Sequence, residues 1–129
     1  MGEAINILLV EDDRNIALAL QIRLKAAGYS VQSAVTVADA RSLIEKKVPD
    51  IALLDVNLPD GDGISLMKSF AMLGLNVPID SIVMSASRSP GLREDALTAG
   101  AIAFLEKPFS SSLLLETLAC NQSLKPTGT

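Results

Sequence analysis

The chain has 129 residues, with no histidine and one cysteine, Cys120. Without histidine there is no imidazole for acid–base chemistry, and zinc sites built from Cys and His are excluded. One thiol cannot close an internal disulfide and says little about compartment. No apolar run reaches the roughly 18 residues of a membrane-spanning helix, so no membrane contact is expected. Met1-Gly2-Glu3 lacks the basic start and apolar core of a signal peptide, which makes the cytoplasm the expected location. Basic residues number 11 against 15 acidic ones, for a net charge of −4. That balance argues against direct nucleic-acid binding, which needs clustered cations to neutralise phosphates. No strand-like run leads into GxGxxG or a GxxxxGK loop, so the common nucleotide cradles are missing. No repeat, low-complexity block or linker divides the chain.

What remains is globular: 49% hydrophobic and 20% charged residues in a length that suits one domain. We expect that domain over residues 1–121 and a flexible polar tail over 122–129. Ile5 to Val10 reads as a buried strand ending in Glu11-Asp12-Asp13, with Asp13 placed to cap the helix that follows. Ile16, Ala17, Leu20, Leu24 and Ala27 recur at helical spacing, and Gly28 stops that helix. Tyr29 to Ala34 is a second strand. Thr36 caps a second helix with Ala40, Leu43 and Ile44 inward, ended by Val48-Pro49. Ile51-Ala52-Leu53-Leu54 is a continuous apolar run, as a central parallel strand requires, and it ends abruptly in Asp55. The turn Leu58 to Gly63 follows, in which Asp60 and Asp62 read as turn formers and Gly61 and Gly63 as turn glycines. A third helix places Ile64, Met67, Phe70 and Ala71 on one face. Ser81 to Met84 is a fourth strand. Pro90 opens a fourth helix that stops at Gly100. Ala101 to Leu105 is a fifth strand, and Ser110 caps a last helix with Leu113, Leu114 and Leu118 inward.

Strict alternation of five strands and five helices predicts an α/β fold with a doubly wound parallel sheet, in the flavodoxin-like order 2-1-3-4-5. In such a sheet all strand carboxyl ends share one edge. Glu11 and Asp12 follow the first strand, Asp55 the third, Ser85 the fourth and Lys107 the fifth, so the topology gathers them. Clustered carboxylates repel unless a cation intervenes, and a site with only oxygen donors favours a hard cation such as Mg²⁺. A cation and a lysine ammonium can stabilise a transferred phosphoryl group, a serine hydroxyl can bind one of its oxygens, and a carboxylate can serve as nucleophile.

These residues resemble the receiver domains of two-component response regulators. The resemblance rests on Glu11-Asp12, on Asp55 within Leu54-Asp55-Val56-Asn57-Leu58-Pro59-Asp60-Gly61-Asp62-Gly63, on Ser85-Ala86, and on Lys107-Pro108-Phe109. It spans about Asn6 to Ala119. By that resemblance Asp55 accepts a phosphoryl group from a histidine kinase. Asp12 is a direct Mg²⁺ ligand, Glu11 acts through water, and Asn57 offers its main-chain carbonyl to the metal. Lys107 pairs with the phosphoryl group across a cis Lys107–Pro108 bond. Ser85 follows the phosphoryl group, and Phe104 occupies the place of an aromatic switch, a position that reads equally well as plain core. Asn57 and Ser87 flank the path of the hydrolytic water and tune the lifetime. Helix 4, strand 5 and helix 5 form the expected partner or homodimer face.

Three other functions compete. A small Mg²⁺-dependent phosphatase would need an acid–base carboxylate two residues past its nucleophile, where this chain has Asn57. A degenerate receiver acting as a scaffold would not need intact acids, serine and lysine. A flavodoxin would carry a hydroxyl-rich phosphate loop in place of Glu11-Asp12-Asp13. The short polar tail fits a stand-alone receiver and a piece of a longer regulator or hybrid kinase equally well.

Overall fold

The computed structural model describes residues 4–123. Five strands, β1 (Asn6–Val10), β2 (Ser30–Ala34), β3 (Ile51–Asp55), β4 (Asp80–Ser85) and β5 (Ala103–Glu106), form one parallel sheet. Its order, β2-β1-β3-β4-β5, is the doubly wound arrangement expected from the alternation. The helices are α1 (Arg14–Ala26), α2 (Val37–Lys46), α3 (Gly63–Ser69), α4 (Leu92–Thr98) and α5 (Ser111–Ser123). No described helix is long and apolar enough to cross a membrane.

Because side chains alternate along a strand, the sheet has two apolar faces. Ile7, Leu9, Ile51, Leu53, Ile82 and Met84 pack with Ala17 and Leu24 of α1 and Leu114 and Leu118 of α5. Leu8, Val10, Ala52, Leu54, Val83 and Phe104 pack with residues of α2, α3 and α4, among them Ala40, Ile44, Leu66 and Ala96. All five residues of β3 are buried, so the strand that ends in Asp55 is the middle of both cores. Full burial of an aliphatic side chain contributes about 1.5–3 kcal/mol. A slip of one residue in β3 would exchange Ile51 and Leu53 with Ala52 and Leu54 between two unlike faces, which fixes where the carboxylate emerges.

The expected caps are present. Asp13 Oδ1 accepts from the N–H groups of Asn15 and Ile16 at 2.9 and 3.1 Å. Thr36 Oγ1 accepts from Asp39 N at 3.0 Å, and Ser110 Oγ from Leu113 N at 3.0 Å. Gly28 and Gly100 close α1 and α4 with positive φ, at 99° and 118°.

Several local expectations are corrected. The fourth helix starts at Leu92, not Pro90. Ser89 O accepts from Leu92 N, and Gly91 takes φ 82° and ψ −7°, so Pro90-Gly91 is the centre of a type II turn. Leu113 is 44% exposed, and Leu115 packs beside Leu114 and Leu118 in its place. Ala71 is exposed because the chain tightens to a 3₁₀ turn over Phe70–Leu73, which shifts the helical phase. On α1, Ile16 and Ala27 are exposed, Ala27 as the C-cap. The turn after Asp55 is an ordered ribbon, Asn57–Leu58 paired antiparallel with Gly61–Asp62. Helix α5 continues past Gln122 to Ser123; the remainder of the expected tail, 124–129, and Met1-Gly2-Glu3 lie outside the described residues.

Candidate functional site

Strand register builds the site. Val10 lies opposite Leu54, so Glu11 leaves β1 beside Asp55. Asp55 lies opposite Met84 and Ser85 opposite Glu106, so Ser85 and Lys107 follow in step. The ladder runs one residue beyond the strands. Glu11 N donates to Ala34 O at 3.0 Å, Val56 N to Met84 O at 3.0 Å and Lys107 N to Ser85 O at 2.9 Å. The backbone of Glu11, Asp55, Ser85 and Lys107 is therefore fixed by the neighbouring strands.

Lys107 Nζ donates to Glu11 Oε1 and, at 3.1 Å, to Asp55 Oδ2. The other oxygens take main-chain donors: Glu11 Oε2 from Asp13 N at 3.2 Å, and Asp55 Oδ1 from Asn57 N at 3.3 Å. Glu11 and Asp55 are buried, at 1% and 6% exposure, whereas Asp12 is exposed. Carboxylate oxygens of Glu11, Asp12 and Asp55 lie within 4.8 Å of one another. Three carboxylates and one ammonium sum to −2 when ionised, which a divalent cation would neutralise. The donors are all oxygen, and the set fits a hard cation such as Mg²⁺.

The acid strengths reflect this crowding. Burial pushes the Glu11 carboxyl above its ordinary range; the Lys107 hydrogen bond opposes that, and the neighbouring Asp55 carboxylate adds to it. For Lys107 burial alone would lower the value, but the hydrogen bonds and charges of Glu11 and Asp55 outweigh it and hold the ammonium above its usual range. An ion pair alone would lower Glu11, so its upward shift says that burial and the second carboxylate win. Lys107 is firmly charged, and Glu11 is the carboxyl that pays for the cluster's crowding.

Ser85 is fully buried, and its Oγ accepts from Ser87 N at 2.9 Å. Ser87 Oγ in turn lies 2.9 Å from Ser89 Oγ and accepts from Ser89 N at 3.2 Å. Phe104 is buried on the face that carries α4. The Lys107–Pro108 bond is cis. Exposed Ile16 lines, with Leu20, Arg23, Lys107 and Phe109, a cleft of about 460 Å³.

Three residues between Leu58 and Gly63 do more than shape a turn. Asp62 caps α3, accepting from Ser65 N at 2.8 Å and Ser65 Oγ at 3.0 Å. Asp60 accepts from Val37 N at 2.7 Å and Ala38 N at 3.1 Å, the first amides of α2. Gly63 approaches β3 so closely that a Cβ there would stand 2.3 Å from Asp55 O. The Asp62 cap was readable from Asp three residues before Ser65; nothing local signalled the other two.

A doubly wound sheet with an acid pair, a central aspartate, a serine and a lysine on one edge defines a receiver-type phosphorylation module. The sequence model of the response regulator receiver domain matches residues 7–119, and the chain belongs to that family. Among curated relatives, the transcriptional regulatory protein ZraR of Salmonella typhimurium is 38% identical over 114 residues, 88% of this chain and 25% of that protein. The transcriptional regulatory protein PhoP of Escherichia coli K12 is 33% identical over 103 residues, 80% of this chain and 45% of that protein. The chain thus spans between a quarter and about half of these relatives. Among solved structures, the CheY-like response regulator receiver domain protein of Methanospirillum hungatei superposes with a TM-score of 0.85 at 29% identity, covering 93% of this chain and 94% of that one. The chemotaxis response regulator CheY4 of Vibrio cholerae gives 0.83 at 27% identity, covering 91% and 98%.

Proposed function

We propose that this receiver, acting in the cytoplasm, takes a phosphoryl group on Asp55 from a histidine kinase and catalyses both that transfer and the later hydrolysis. The observation that carries the reading is the ammonium of Lys107 on Asp55 Oδ2, beside two further carboxylates on the same sheet edge. A carboxylate oxygen of Asp55 attacks phosphorus in line. The P–O bond forms as the P–N bond to the donor imidazole breaks, and the electron pair leaves with that nitrogen. Lys107 neutralises charge on the phosphoryl oxygens, and the Ser85 hydroxyl donates to one of them. Asp12, Asp55 and the Asn57 carbonyl would hold Mg²⁺, with Glu11, already engaged by Lys107 and Asp13 N, acting through water. The bound ion supplies charge neutralisation for the transferred group. Asn57 and Ser87 bracket the approach of the hydrolytic water and set its rate.

Once Asp55 carries the phosphoryl group, Ser85 Oγ exchanges the Ser87 amide for a phosphoryl oxygen, and Phe104 and the surface of α4, β5 and α5 readjust. That surface is the proposed partner or homodimer face. Incubation with acetyl phosphate and Mg²⁺ should add one phosphoryl group by intact mass, and Asp55→Asn should abolish this while keeping the fold. Uptake by Asp55→Asn at the wild-type rate, through Asp60 or Asp62, would sink the assignment. Beryllofluoride with Mg²⁺ should move the amide resonances of α4, β5 and α5, and an unchanged spectrum there would sink the switch.

A further inference from the structure

The ribbon that carries Asn57 is short, two residues on two, and such a ribbon has little stability of its own. Its ties within the loop and toward α3 are Gly63 N on Val56 O and the Asp62 cap on Ser65. On the opposite side Asp60 reaches across 23 residues of sequence and grips α2 with both carboxylate oxygens. The third amide of α2, Asp39 N, is already served by Thr36 Oγ1, so Asp60 takes the two donors that the local cap leaves open. The adjoining Gly61 lets the ribbon come close to α2, since a Cβ there would stand 3.2 Å from Val37 Cγ2. The positive end of α2 favours the carboxylate, and the Val37 hydrogen bond foremost holds its pKa below the usual carboxylate range.

We propose that Asp60 is a positioning residue for the cation site: its grip on α2 fixes the ribbon, and through it the Asn57 carbonyl, relative to Asp55 and Asp12. The proposal rests on the Mg²⁺ reading above. Asp60 lies in the ribbon tip, two peptide units past Leu58, whose side chain is buried in the same core as Ala40 and Ile44 of α2. Without the grip the ribbon keeps its α3 ties and its buried Leu58, so the fold survives. What it loses is the lateral tie between the tip and α2, which leaves Asn57 held to Asp55 only by its own weak 3.3 Å hydrogen bond. Groups that orient a ligand without touching the metal commonly change affinity by about tenfold or more.

The test is titration with Mg²⁺ alone, without phosphodonor, followed through the amide resonances of Asn57 and its neighbours. It compares wild type, Asp60→Ala and Thr36→Ala. Thr36→Ala removes the other cap of the same helix end without touching the ribbon, so it controls for mere weakening of α2. The expected result is a loss of Mg²⁺ affinity of about tenfold in Asp60→Ala, with Thr36→Ala less stable to urea but unchanged in affinity. Equal affinity in Asp60→Ala and wild type overturns the proposal, and so does an equal loss in both variants. A wild-type protein whose Asn57 and Asp12 amides ignore Mg²⁺ overturns the metal reading itself, and this proposal with it.

Discussion

Replacing Gly63 by alanine is the sharpest test of how the site is built. The added Cβ would stand 2.3 Å from Asp55 O, 3.0 Å from Asp55 C and 3.1 Å from Leu54 Cβ. Carbon–oxygen contacts ordinarily settle near 3.3–3.6 Å, so relief needs a shift of about 1 Å. The atoms met first are main chain, which cannot swing aside as a side-chain tip would. Either the end of β3 moves, or α3 backs away and weakens Gly63 N to Val56 O. Overpacking of this kind costs roughly 1–3 kcal/mol. Alanine returns up to about 1 kcal/mol as the better helix former, less at a first helical position. The net expectation is a loss of about 1–2 kcal/mol, read as a lower urea midpoint at unchanged slope. The catalytic effect should be larger, because misplacing a reacting group by about 1 Å can cost on the order of 10²-fold in rate. Acetyl phosphate uptake, with Mg²⁺ saturating, measures it. A Gly63→Ala protein as stable as wild type that phosphorylates at the same rate would refute the argument, because helix propensity would then be the only thing glycine affected.

Among the described residues, Ser81 Oγ is a buried side-chain oxygen with no hydrogen-bond partner. An unmet buried hydroxyl costs about 1–3 kcal/mol, so Ser81→Ala should leave stability unchanged or raise it by up to about 1 kcal/mol in urea. A loss above about 1 kcal/mol would mean that the hydroxyl is satisfied. Asp60 contributes in the opposite sense to acid: its folded value lies below 3.8, so its contribution is present above that pH and lost as pH falls through the lower folded value. Asp60→Asn should therefore flatten the acid side of the stability curve below about pH 3.8, and an identical slope in the variant would refute the cap.

The sheet and its order were legible because β1, β3, β4 and β5 are largely apolar runs and α1, α2, α4 and α5 each carry a stop or cap; β2, Ser30–Ala34, is mostly polar and was placed by the alternation around it. The site was legible for a reason of topology: parallel strands put every carboxyl end on one edge, so Glu11, Asp55, Ser85 and Lys107 needed no pairwise signal. What escaped was set by contacts between distant segments or by phase. Asp60 caps a helix that begins 23 residues earlier, and no local pattern distinguishes it from a turn aspartate. Gly63 resembles a turn glycine, yet what requires it is the space above Asp55. Leu113 and Leu114 differ by 100° on a helical wheel, and only the packing of Leu114 and Leu118 against the sheet decides which faces in. Pro90 is a good first helical residue, but with Gly91 after it the type II turn wins.

The four aspartates Asp12, Asp55, Asp60 and Asp62 also show why residue type alone was a poor guide. Asp60 and Asp62 each face two donors and stay outside the sheet edge, so their charge is spent on helix ends. Asp55 faces one weak amide and the Lys107 ammonium, which it shares with Glu11. Two unit charges about 4 Å apart repel by about 4 kcal/mol at an effective dielectric near 20, so the two buried carboxylates are the costly pair in the cluster. Lys107 bridges that pair, while exposed Asp12 is left to water. One ammonium cannot neutralise three carboxylates, and the upward shift of Glu11 comes first from its burial, with the Asp55 carboxylate adding to it against the Lys107 hydrogen bond. The same shortfall is what a divalent cation on this edge would make good.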